Sequence, residues 1–396
     1  MTRPRTTLAV CSAAHVIHDG LTDVLYVLLP LIAQAFGLNY AQVGLIRTAN
    51  RAAMAALQLP AGVMAEHFGE RSLLAAGTAC AGVGFVALGY AGGFTAILAA
   101  LFIAGCGGAF QHPLCSAMIS HAYPVTGRRA ALGIYNFAGD VGKVGVAGLF
   151  GLMIAAGIAW QAPVMALGTI TLVGAVTVWF LLLFAKSGQR PVRRQQRTEE
   201  HANSGWGLRN RSGFFALCSI EIIDAMTRTG FLTFVAFLML AKGLPAGWAV
   251  LSVPLVAAGG MAGKLSCGFL AERYGTVRTI VLTEIASAVG IVLVVYLPGV
   301  SAYVVLPLVG IALSGTSSAL YGTVADLVEP DRVSRAFGLF YTLGSASGVV
   351  APVAYGILAD QIGVAASLLA AAAIVMLTVP LCWWLNATLV HTPKHA

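Results

Sequence analysis

Long apolar stretches follow one another along almost the whole chain, and turn residues and charges separate them at fairly regular intervals. A helix needs about 20 apolar residues to cross the hydrocarbon core of a bilayer, and these stretches reach that length. The pattern predicts about twelve transmembrane helices, numbered here as spans 1 to 12: residues 8–36, 41–66, 72–91, 94–121, 128–156, 160–185, 212–241, 246–272, 277–297, 300–326, 333–359 and 364–388. We therefore expect an all-α membrane protein.

A polar segment, rich in arginine and glutamine, divides the spans into two sets of six. We predict an N-terminal six-helix bundle at residues 1–185, a cytoplasmic linker at 186–211 and a C-terminal six-helix bundle at 212–396. The sequence shows no other sizeable polar segment and no glycine loop of the phosphate-binding type. We therefore expect neither an enzyme nor an ATP-driven pump.

The composition agrees with a membrane protein. Hydrophobic residues make up 58% and charged residues 10% of the 396 residues, whereas a soluble domain carries about 25% charged residues. The seven cysteines show no paired spacing, so they predict packing residues and neither a disulfide framework nor a zinc site. We expect no cofactor and no bound metal.

The net charge of +8 is distributed unevenly. With twelve spans, 17 of the 23 lysines and arginines fall on the side of the linker and both termini, five lie within spans, and Lys242 alone lies on the other side. Because cytoplasmic loops carry an excess of basic residues, we predict cytoplasmic termini in a bacterial inner membrane. The charge is then a topology signal, and we expect the lipid bilayer and no nucleic acid as a partner.

The two halves of the chain repeat each other. Residues 62–69 return as 268–275 at an offset of 206, and Arg129-Ala130 returns as Arg335-Ala336 at the same offset. In span 1, residues 18–23 match residues 223–228 at an offset of 205. The repeat predicts two pseudo-symmetric six-helix bundles, and a monomer is then complete by itself.

The repeated segment resembles a motif of the major facilitator superfamily, the loop between helices 2 and 3 of each half. The family pattern is a glycine, three residues, an acid, two residues, a glycine and then basic residues; here it stands as Gly62, Glu66, Gly69 and Arg71, and again as Gly268, Glu272, Gly275 and Arg278. Glutamate replaces the usual aspartate in both copies. The resemblance covers the whole chain and implies a secondary transporter in which this motif is a cytoplasmic gating latch. The alternative is a solvated tight turn.

A narrower resemblance is to the fosmidomycin-resistance exporters of that superfamily. It rests on a span 1 segment with His15, His18 and Asp19, and on a span 4 segment that ends in Phe110-Gln-His112-Pro113. The resemblance implies proton-coupled antiport, efflux and drug resistance. Gln111 is an extra residue in the span 4 motif. Span 5 has Val146-Ala147 where such exporters often carry Gly-Pro, which leaves the transport direction open.

Ionisable residues on one face of span 1 are candidates for proton coupling. His15, His18 and Asp19 follow one another at helical spacing, and Asp23 lies at the margin of that face. A charged residue within a span costs about 2.5–3.5 kcal/mol and is a functional candidate by default. We predict that Asp19 or Asp23 exchanges protons with the help of the histidines. The repeat adds Glu221 and Asp224 of span 7, and the alternative is a structural ion pair.

The candidate substrate-binding residues are polar or charged groups inside spans. In span 2, Arg47, Asn50 and Arg51 share one face, which suits an anionic substrate; the alternative is that the arginines neutralise the span 1 aspartates. The further candidates are Gln111, His112, Asp140, Lys143, Arg228, Lys264 and Tyr341. Asp140 and Lys143 are also spaced to neutralise each other. Glu284 in span 9 completes the intramembrane charges.

These residues predict a proton-coupled exporter, an antiporter of a small polar or anionic organic compound or drug, that works by alternating access. Proton-coupled uptake uses the same parts and is one alternative. The other is a divalent-metal exporter with His15, His18, Asp19, His112 and Cys115 as ligands, although the nearby arginines would repel a cation.

Overall fold

A computed structural model describes residues 3–189, 208–324, 327–328 and 333–390, and almost all of them are helical. The helices are α1 (Pro4–Phe36), α2 (Tyr40–Phe68), α3 (Glu70–Gly89), α4 (Phe94–Gly108), α5 (Gln111–Ala122), α6 (Val125–Ala155), α7 (Gln161–Phe184), α8 (Arg211–Ala241), α9 (Ala246–Val250), α10 (Ser252–Tyr274), α11 (Thr276–Tyr296), α12 (Gly299–Val324), α13 (Val333–Ile362), α14 (Val364–Val375) and α15 (Thr378–Val390). The predicted all-α fold is confirmed.

The predicted spans coincide with one helix or with two consecutive helices, and their ends differ from the observed ends by at most four residues. Within the described ranges, eleven helical segments are long and apolar enough to cross a membrane, judged by length and composition. The remaining long helix is α2, which carries Arg47, Asn50 and Arg51. The least apolar span is therefore one that supplies candidate site residues.

Three of the predicted spans are broken, which the apolar pattern does not reveal. The breaks separate α4 from α5, α9 from α10 and α14 from α15. Each helix after a break has a proline at its third residue, namely Pro113, Pro254 and Pro380. Proline removes an N–H donor, and its ring clashes with the carbonyl group four residues earlier. Proline alone does not impose the break, because Pro30 and Pro352 lie inside continuous helices.

The chain forms two compact units, one of residues 1–196 with 245–254 and the other of residues 197–244 with 255–396. The first unit contains α1 to α7 and α9, and the second contains α8 and α10 to α15. The short helix α9 packs on α6, where a side chain at Gly247 would overlap Ala155. Of the predicted linker, residues 190–207 lie outside the described residues.

Left-handed glycines mark the internal repeat in the backbone itself. Gly37, Gly69 and Gly157 have φ values of 63°, 80° and 82°, and glycines at 243, 275 and 363 have φ values of 84°, 91° and 86°. Each pair is 206 residues apart (243 − 37, 275 − 69 and 363 − 157). Because L-residues rarely adopt this conformation, three matched pairs at one offset show that the two halves repeat the same turns.

The same turns correct the register of the repeat in the first helix of each half. After α1, Leu38 N–H donates to the Ala33 carbonyl, and after α8, Leu244 N–H donates to the Met239 carbonyl. These bonds also lie 206 residues apart (244 − 38), so the offset of 205 in span 1 is wrong by one residue. Glu221 therefore takes the position of His15, and the acids of α8 do not take the positions of the α1 aspartates.

We expect Gly275→Ala to lower the free energy of unfolding by about 1–3 kcal/mol, because it places a side chain in a backbone conformation that is nearly restricted to glycine. Thermal unfolding of the purified protein in detergent measures this change. The control is Gly133→Ala, at a helical position with open space around the added methyl group. An equal loss of unfolding free energy in both variants would contradict the conclusion that Gly275 has a backbone conformation nearly restricted to glycine.

Glycines on α6 bring α1 and α6 into close contact. A side chain at Gly142 would overlap the backbone of Val16, and one at Gly20 would overlap Val146. A side chain at Gly139 would overlap the imidazole ring of His15. Small residues let membrane helices approach closely, and here they bring α6 next to the charged face of α1.

Candidate functional site

Asp19 on α1 is the centre of a buried cluster of charges in the first unit. Its Oδ2 atom lies 3.0 Å from Lys143 Nζ and 3.2 Å from His15 Nε2, and its Oδ1 atom lies 3.4 Å from His112 Nε2. These side chains come from α1, α5 and α6. The aspartate side chain is 8% exposed, whereas His112 is 37% exposed, so the cluster has one open side.

Lys143 joins two carboxylates on neighbouring helices. Its Nζ atom lies 3.2 Å from Asp140 Oδ1, one helical turn earlier on α6, as well as 3.0 Å from Asp19. The predicted Asp140–Lys143 pair therefore forms, but the lysine does not serve Asp140 alone. Asp19 and Lys143, which pair with each other, are 124 residues apart in the chain (143 − 19).

The protonation of His15 follows from its hydrogen bonds. His15 Nδ1 lies 2.8 Å from the Tyr135 carbonyl oxygen, and a carbonyl only accepts, so Nδ1 carries a hydrogen. In a neutral ring, Nε2 is then an acceptor that faces the Asp19 carboxylate, which is also an acceptor. A hydrogen bond between them needs one more proton, on the imidazole or on the carboxyl group.

Residues of α5 and α6 pack against the His15 ring. The His15 and Tyr135 rings lie 4.2 Å apart between centroids, and the His15 and His112 rings meet edge to face at 4.9 Å. Gln111, fully buried, donates from Nε2 to the Tyr135 hydroxyl at 2.8 Å. Gln111 thus holds the Tyr135 ring in place beside His15, while the next residue, His112, lies at the exposed side of the cluster.

His18 lies on a different side of α1 from the Asp19 cluster. Its Nε2 atom is 3.0 Å from Thr78 Oγ1 on α3, and the threonine hydroxyl donates to the Leu74 carbonyl. Because the hydroxyl hydrogen is used, His18 Nε2 is the donor. A small cavity of the first unit is lined by His18, Leu21, Thr22, Asn50, Met54, Ala81, Phe85, Ala104, Gly105 and Gly108.

Arg47 on α2 is fully buried. It donates from Nη1 to the Thr22 carbonyl at 3.1 Å, and its guanidinium group lies 4.0 Å from the centroid of the Tyr26 ring. Its Nε and Nη2 atoms have no hydrogen-bond partner among the described residues. Arg51, one turn later, is half-buried and is the more accessible arginine of the two.

Asp23 and Asn50 lie near these arginines. Asp23 is buried, and its cationic neighbours are Lys143, Arg47 and Arg51. Asn50 donates to the Leu101 carbonyl at 3.0 Å and keeps an Oδ1 atom that has no partner in the described part of the chain. The predicted proximity of the α2 arginines to an α1 aspartate therefore holds for Asp23.

In the second unit, α8 is the helix that corresponds to α1, and it carries buried acids where α1 carries histidines. Glu221 and Asp224 on α8 are 3% and 1% exposed, and Arg228 Nη2 lies 3.8 Å from Asp224 Oδ2. A side chain at Gly344 would overlap Glu221, as one at Gly139 would overlap His15. In each unit, a glycine on a neighbouring helix therefore leaves space for a buried ionisable side chain, His15 in the first unit and Glu221 in the second.

The last two substrate candidates lie elsewhere in the second unit. Tyr341 is 48% exposed, and its ring lies tilted against the Tyr321 ring at 5.1 Å between centroids. Lys264 is a half-buried residue of α10.

The sequence gave no signal for Tyr135, Gly139 or Thr78. They act through a backbone carbonyl, through the absence of a side chain and through a single hydroxyl group, and none of these features carries a charge.

A family model described as Major Facilitator Superfamily matches residues 11–352 and, in a second match, residues 217–395. The chain belongs to the major facilitator superfamily. An uncharacterized protein of Mycobacterium tuberculosis strain H37Rv is 30% identical over 350 residues, which cover 84% of this chain and 81% of the relative.

Two further relatives are described as transporters. The uncharacterized MFS-type transporter YfnC of Bacillus subtilis is 25% identical over 385 residues, 93% of this chain and 91% of YfnC. The probable sulfoacetate transporter SauU of Cupriavidus necator is 26% identical over 360 residues, 84% of this chain and 82% of SauU. The chain is therefore a transporter of this superfamily.

A solved structure shows the same fold. A bacterial homolog of the human lysosomal transporter Spinster, in an inward-facing and occupied conformation, matches with a TM-score of 0.84 at 16% identity and with 100% coverage of both chains. The helices described above therefore have the same fold as that transporter.

The superfamily motif of the sequence lies at the turns before α3 and α11. Gly69 and Gly275 precede these helices with φ values of 80° and 91°. Arg71 stacks 5.1 Å from the centroid of the Trp179 ring, and its backbone N–H donates to the Gly188 carbonyl. Arg278 is exposed. Gly62 and Gly268 lie in the helices before these turns, and the side chains of Glu66 and Glu272 lie outside the described part, so the gating role stays a prediction.

Proposed function

We propose that this protein is a proton-coupled exporter, an antiporter that exchanges protons for a small polar or anionic organic compound by alternating access. The observation that carries the proposal is the buried contact of Asp19 with His15, His112 and Lys143. An acid, two imidazoles and an ammonium group within hydrogen-bond distance can pass a proton and change their pairing as they do so.

His15 is the residue whose contacts require a proton. With Nδ1–H held by the Tyr135 carbonyl, the contact between His15 Nε2 and Asp19 requires a proton. Loss of that proton leaves two facing acceptors, and Lys143 is placed to compensate the Asp19 carboxylate. A polar group of the substrate that donates a hydrogen bond to the Asp19 carboxylate would occupy the place of the proton. Proton and substrate would then compete for Asp19.

The accessible cations favour an anionic substrate. Lys143 is 29% exposed, Arg51 is half-buried, and His112 faces the open side of the cluster. Arg47 is fully buried, so it would act on the substrate through Tyr26 and Asp23 rather than by contact. The name of SauU, a probable sulfoacetate transporter, fits a small organic anion. Guanidinium and ammonium groups bind carboxylate and sulfonate oxygens well.

The export direction rests on the resemblance of His15, Asp19 and His112 to the fosmidomycin-resistance exporters. The proposal also includes a monomer in a bacterial inner membrane, with cytoplasmic termini and two bundles at residues 1–185 and 212–396. The charge asymmetry of the loops supports this orientation. Drug efflux is part of the proposal, and proton-coupled uptake would use the same residues.

A divalent metal is the second candidate substrate, and one observation favours it. Ligand atoms of His15, Asp19 and His112 lie within 4.8 Å of one another, and among the described residues they form a group able to hold a metal ion. Lys143 lies 3.0 Å from Asp19 Oδ2, and its ammonium group repels a metal cation there. The organic anion is therefore the better candidate.

The test is proton flux in liposomes that contain the purified protein and a pH-sensitive dye. Small organic anions, antibiotics and divalent metals are added in turn, and we expect an organic anion to drive protons across the membrane. Loading the substrate inside or outside gives the direction. Flux with a metal alone, or substrate exchange without proton movement, would sink the proposal.

Arg51→Ala is expected to raise the half-saturating concentration of an anionic substrate by about 10- to 100-fold, because a hydrogen bond to a charged group contributes about 1.5–3 kcal/mol. The matched control is Arg211→Ala, an exposed arginine at the start of α8. Substrate titration of the same liposome assay measures both. An unchanged half-saturating concentration in Arg51→Ala would remove this residue from the substrate site.

A further inference from the structure

The second unit contains a buried acid that the proposed transport mechanism does not use. Glu284 on α11 is 1% exposed, and its Oε1 atom has no hydrogen-bond partner in the described ranges. An ionised carboxylate in such a place has lost its hydration, which is costly unless a cation or hydrogen-bond donors replace the water. The neighbours of Glu284 therefore decide which form its carboxyl group takes.

The internal repeat identifies the first neighbour. An offset of 206 places Glu284 at the position of Thr78 (284 − 78) and Asp224 at the position of His18 (224 − 18). In the first unit, the side chains at these positions are hydrogen bonded at 3.0 Å. In the second unit, Asp224 is a charged neighbour of Glu284. Two ionised carboxylates so placed repel each other, whereas one proton turns the pair into donor and acceptor.

The arginine of this region belongs to Asp224. Arg228 Nη2 lies 3.8 Å from Asp224 Oδ2, and the structure shows no ion pair between Glu284 and any described residue. Of the two acids, Asp224 is therefore the one whose negative charge is compensated, and the proton belongs on Glu284.

Hydroxyl groups are the hydrogen-bonding neighbours of Glu284 on this side. Thr283 donates to the backbone carbonyls of Thr279 and Ile280, and Thr316 lies 2.8 Å from Thr283 Oγ1. Thr316 also contacts the Glu284 side chain. A hydroxyl group can donate to a carboxylate or accept from a carboxylic acid, so it accommodates the carboxyl group without supplying a compensating charge.

Two further hydroxyl groups mark the region as polar. Thr227 Oγ1 and Ser287 Oγ are buried and have no hydrogen-bond partner among the described residues. The repeat places them at the positions of Leu21 (227 − 21) and Ala81 (287 − 81), which line the small cavity of the first unit. The second unit therefore carries buried hydroxyl groups at two positions that are apolar in the first unit.

We propose that Glu284 binds a proton at neutral pH and forms, with the ionised Asp224, a second proton-binding site in the C-terminal unit. Its protonation is independent of the proposed function of the Asp19 cluster; only the further step, that this proton is carried across the membrane, rests on that function. The titratable and charged groups that act on this pair come from α8, α12 and α15: Glu221, Arg228, Tyr321 and Cys382.

Infrared spectroscopy of the full-length protein in detergent tests the assignment without any substrate. Protonated carboxyl groups give a carbonyl band that ionised groups lack. We expect Glu284→Gln to remove the intensity of one carboxyl group at neutral pH. The exposed Asp360→Asn is the control and should leave the band unchanged. Asp224→Asn should keep the Glu284 band but shift its frequency, because the acceptor changes from a carboxylate to an amide.

An unchanged band in Glu284→Gln would overturn the proposal. So would disappearance of the band when sodium replaces choline in the buffer, since that would show a metal-cation site. Thermal unfolding checks that the variants are folded. If Glu284→Gln does not fold, the frequency in Asp224→Asn is the deciding measurement, and an unshifted band there would overturn the pairing. Loss of transport with an intact band would affect only the proposed function.

Discussion

Asp19→Asn is expected to reduce substrate-driven proton flux about 100-fold or more, because a positioned group contributes about 10²–10⁴-fold to a proton-transfer step. An amide cannot take up the proton that the His15 contact requires, and it removes the charge partner of Lys143. Proton flux in liposomes measures the loss. Substrate exchange in the absence of a pH gradient should be lost far less, since the accessible cations remain.

The control for this variant is Asp360→Asn, which changes an exposed aspartate at the end of α13. Full proton flux in Asp19→Asn would remove Asp19 from the proton pathway. Loss of exchange and flux to the same extent would mean that Asp19 binds substrate or maintains the fold. Thermal unfolding separates these two cases.

Gly142→Ala is expected to lower the free energy of unfolding by about 1–3 kcal/mol, the usual cost of overpacking. The added methyl group would lie within 3.0 Å of three backbone atoms of Val16, and a backbone cannot turn aside as a flexible side chain can. The helices α1 and α6 would have to separate, which also pulls Lys143 away from Asp19. Thermal unfolding in detergent and proton flux should therefore both decline.

Gly145→Ala is the matched control, three residues later on the same helix and with nothing within 4 Å of the added methyl group. It should unfold at the same temperature as the unmodified protein or at a slightly higher one. Equal unfolding of the two variants would mean that the contact between α1 and α6 does not depend on the small residue at position 142.

The fold was largely predictable because the bilayer imposes one length on every spanning helix. Apolar length alone therefore located the helices to within a few residues. The breaks before Pro113, Pro254 and Pro380 were not predictable, because Pro30 and Pro352 lie in unbroken helices. The repeat was visible in the sequence, but its register in α1 and α8 required the backbone of the turns at Gly37 and Gly243.

The candidate site was predictable as a list of residues and less so as a set of pairs. Helical spacing placed His15 and Asp19 together and anticipated the Asp140–Lys143 pair. The contact of Asp19 with Lys143 joins two helices that are distant in sequence, so periodicity within one helix carries no information about it. Arg47 looked like a substrate ligand by charge, and its complete burial is a property of packing.

The 206-residue repeat gives the protein an internal control of the kind that experimenters normally obtain from a second species. Turns that recur in both copies, such as those at Gly69 and Gly275, belong to the architecture inherited from a duplicated ancestor. Side chains that differ at equivalent positions record what happened after the duplication. His18 with Thr78 in one copy and Asp224 with Glu284 in the other are such a divergence, and exchanging the pairs between the halves separates what the side chains do from what the shared backbone does.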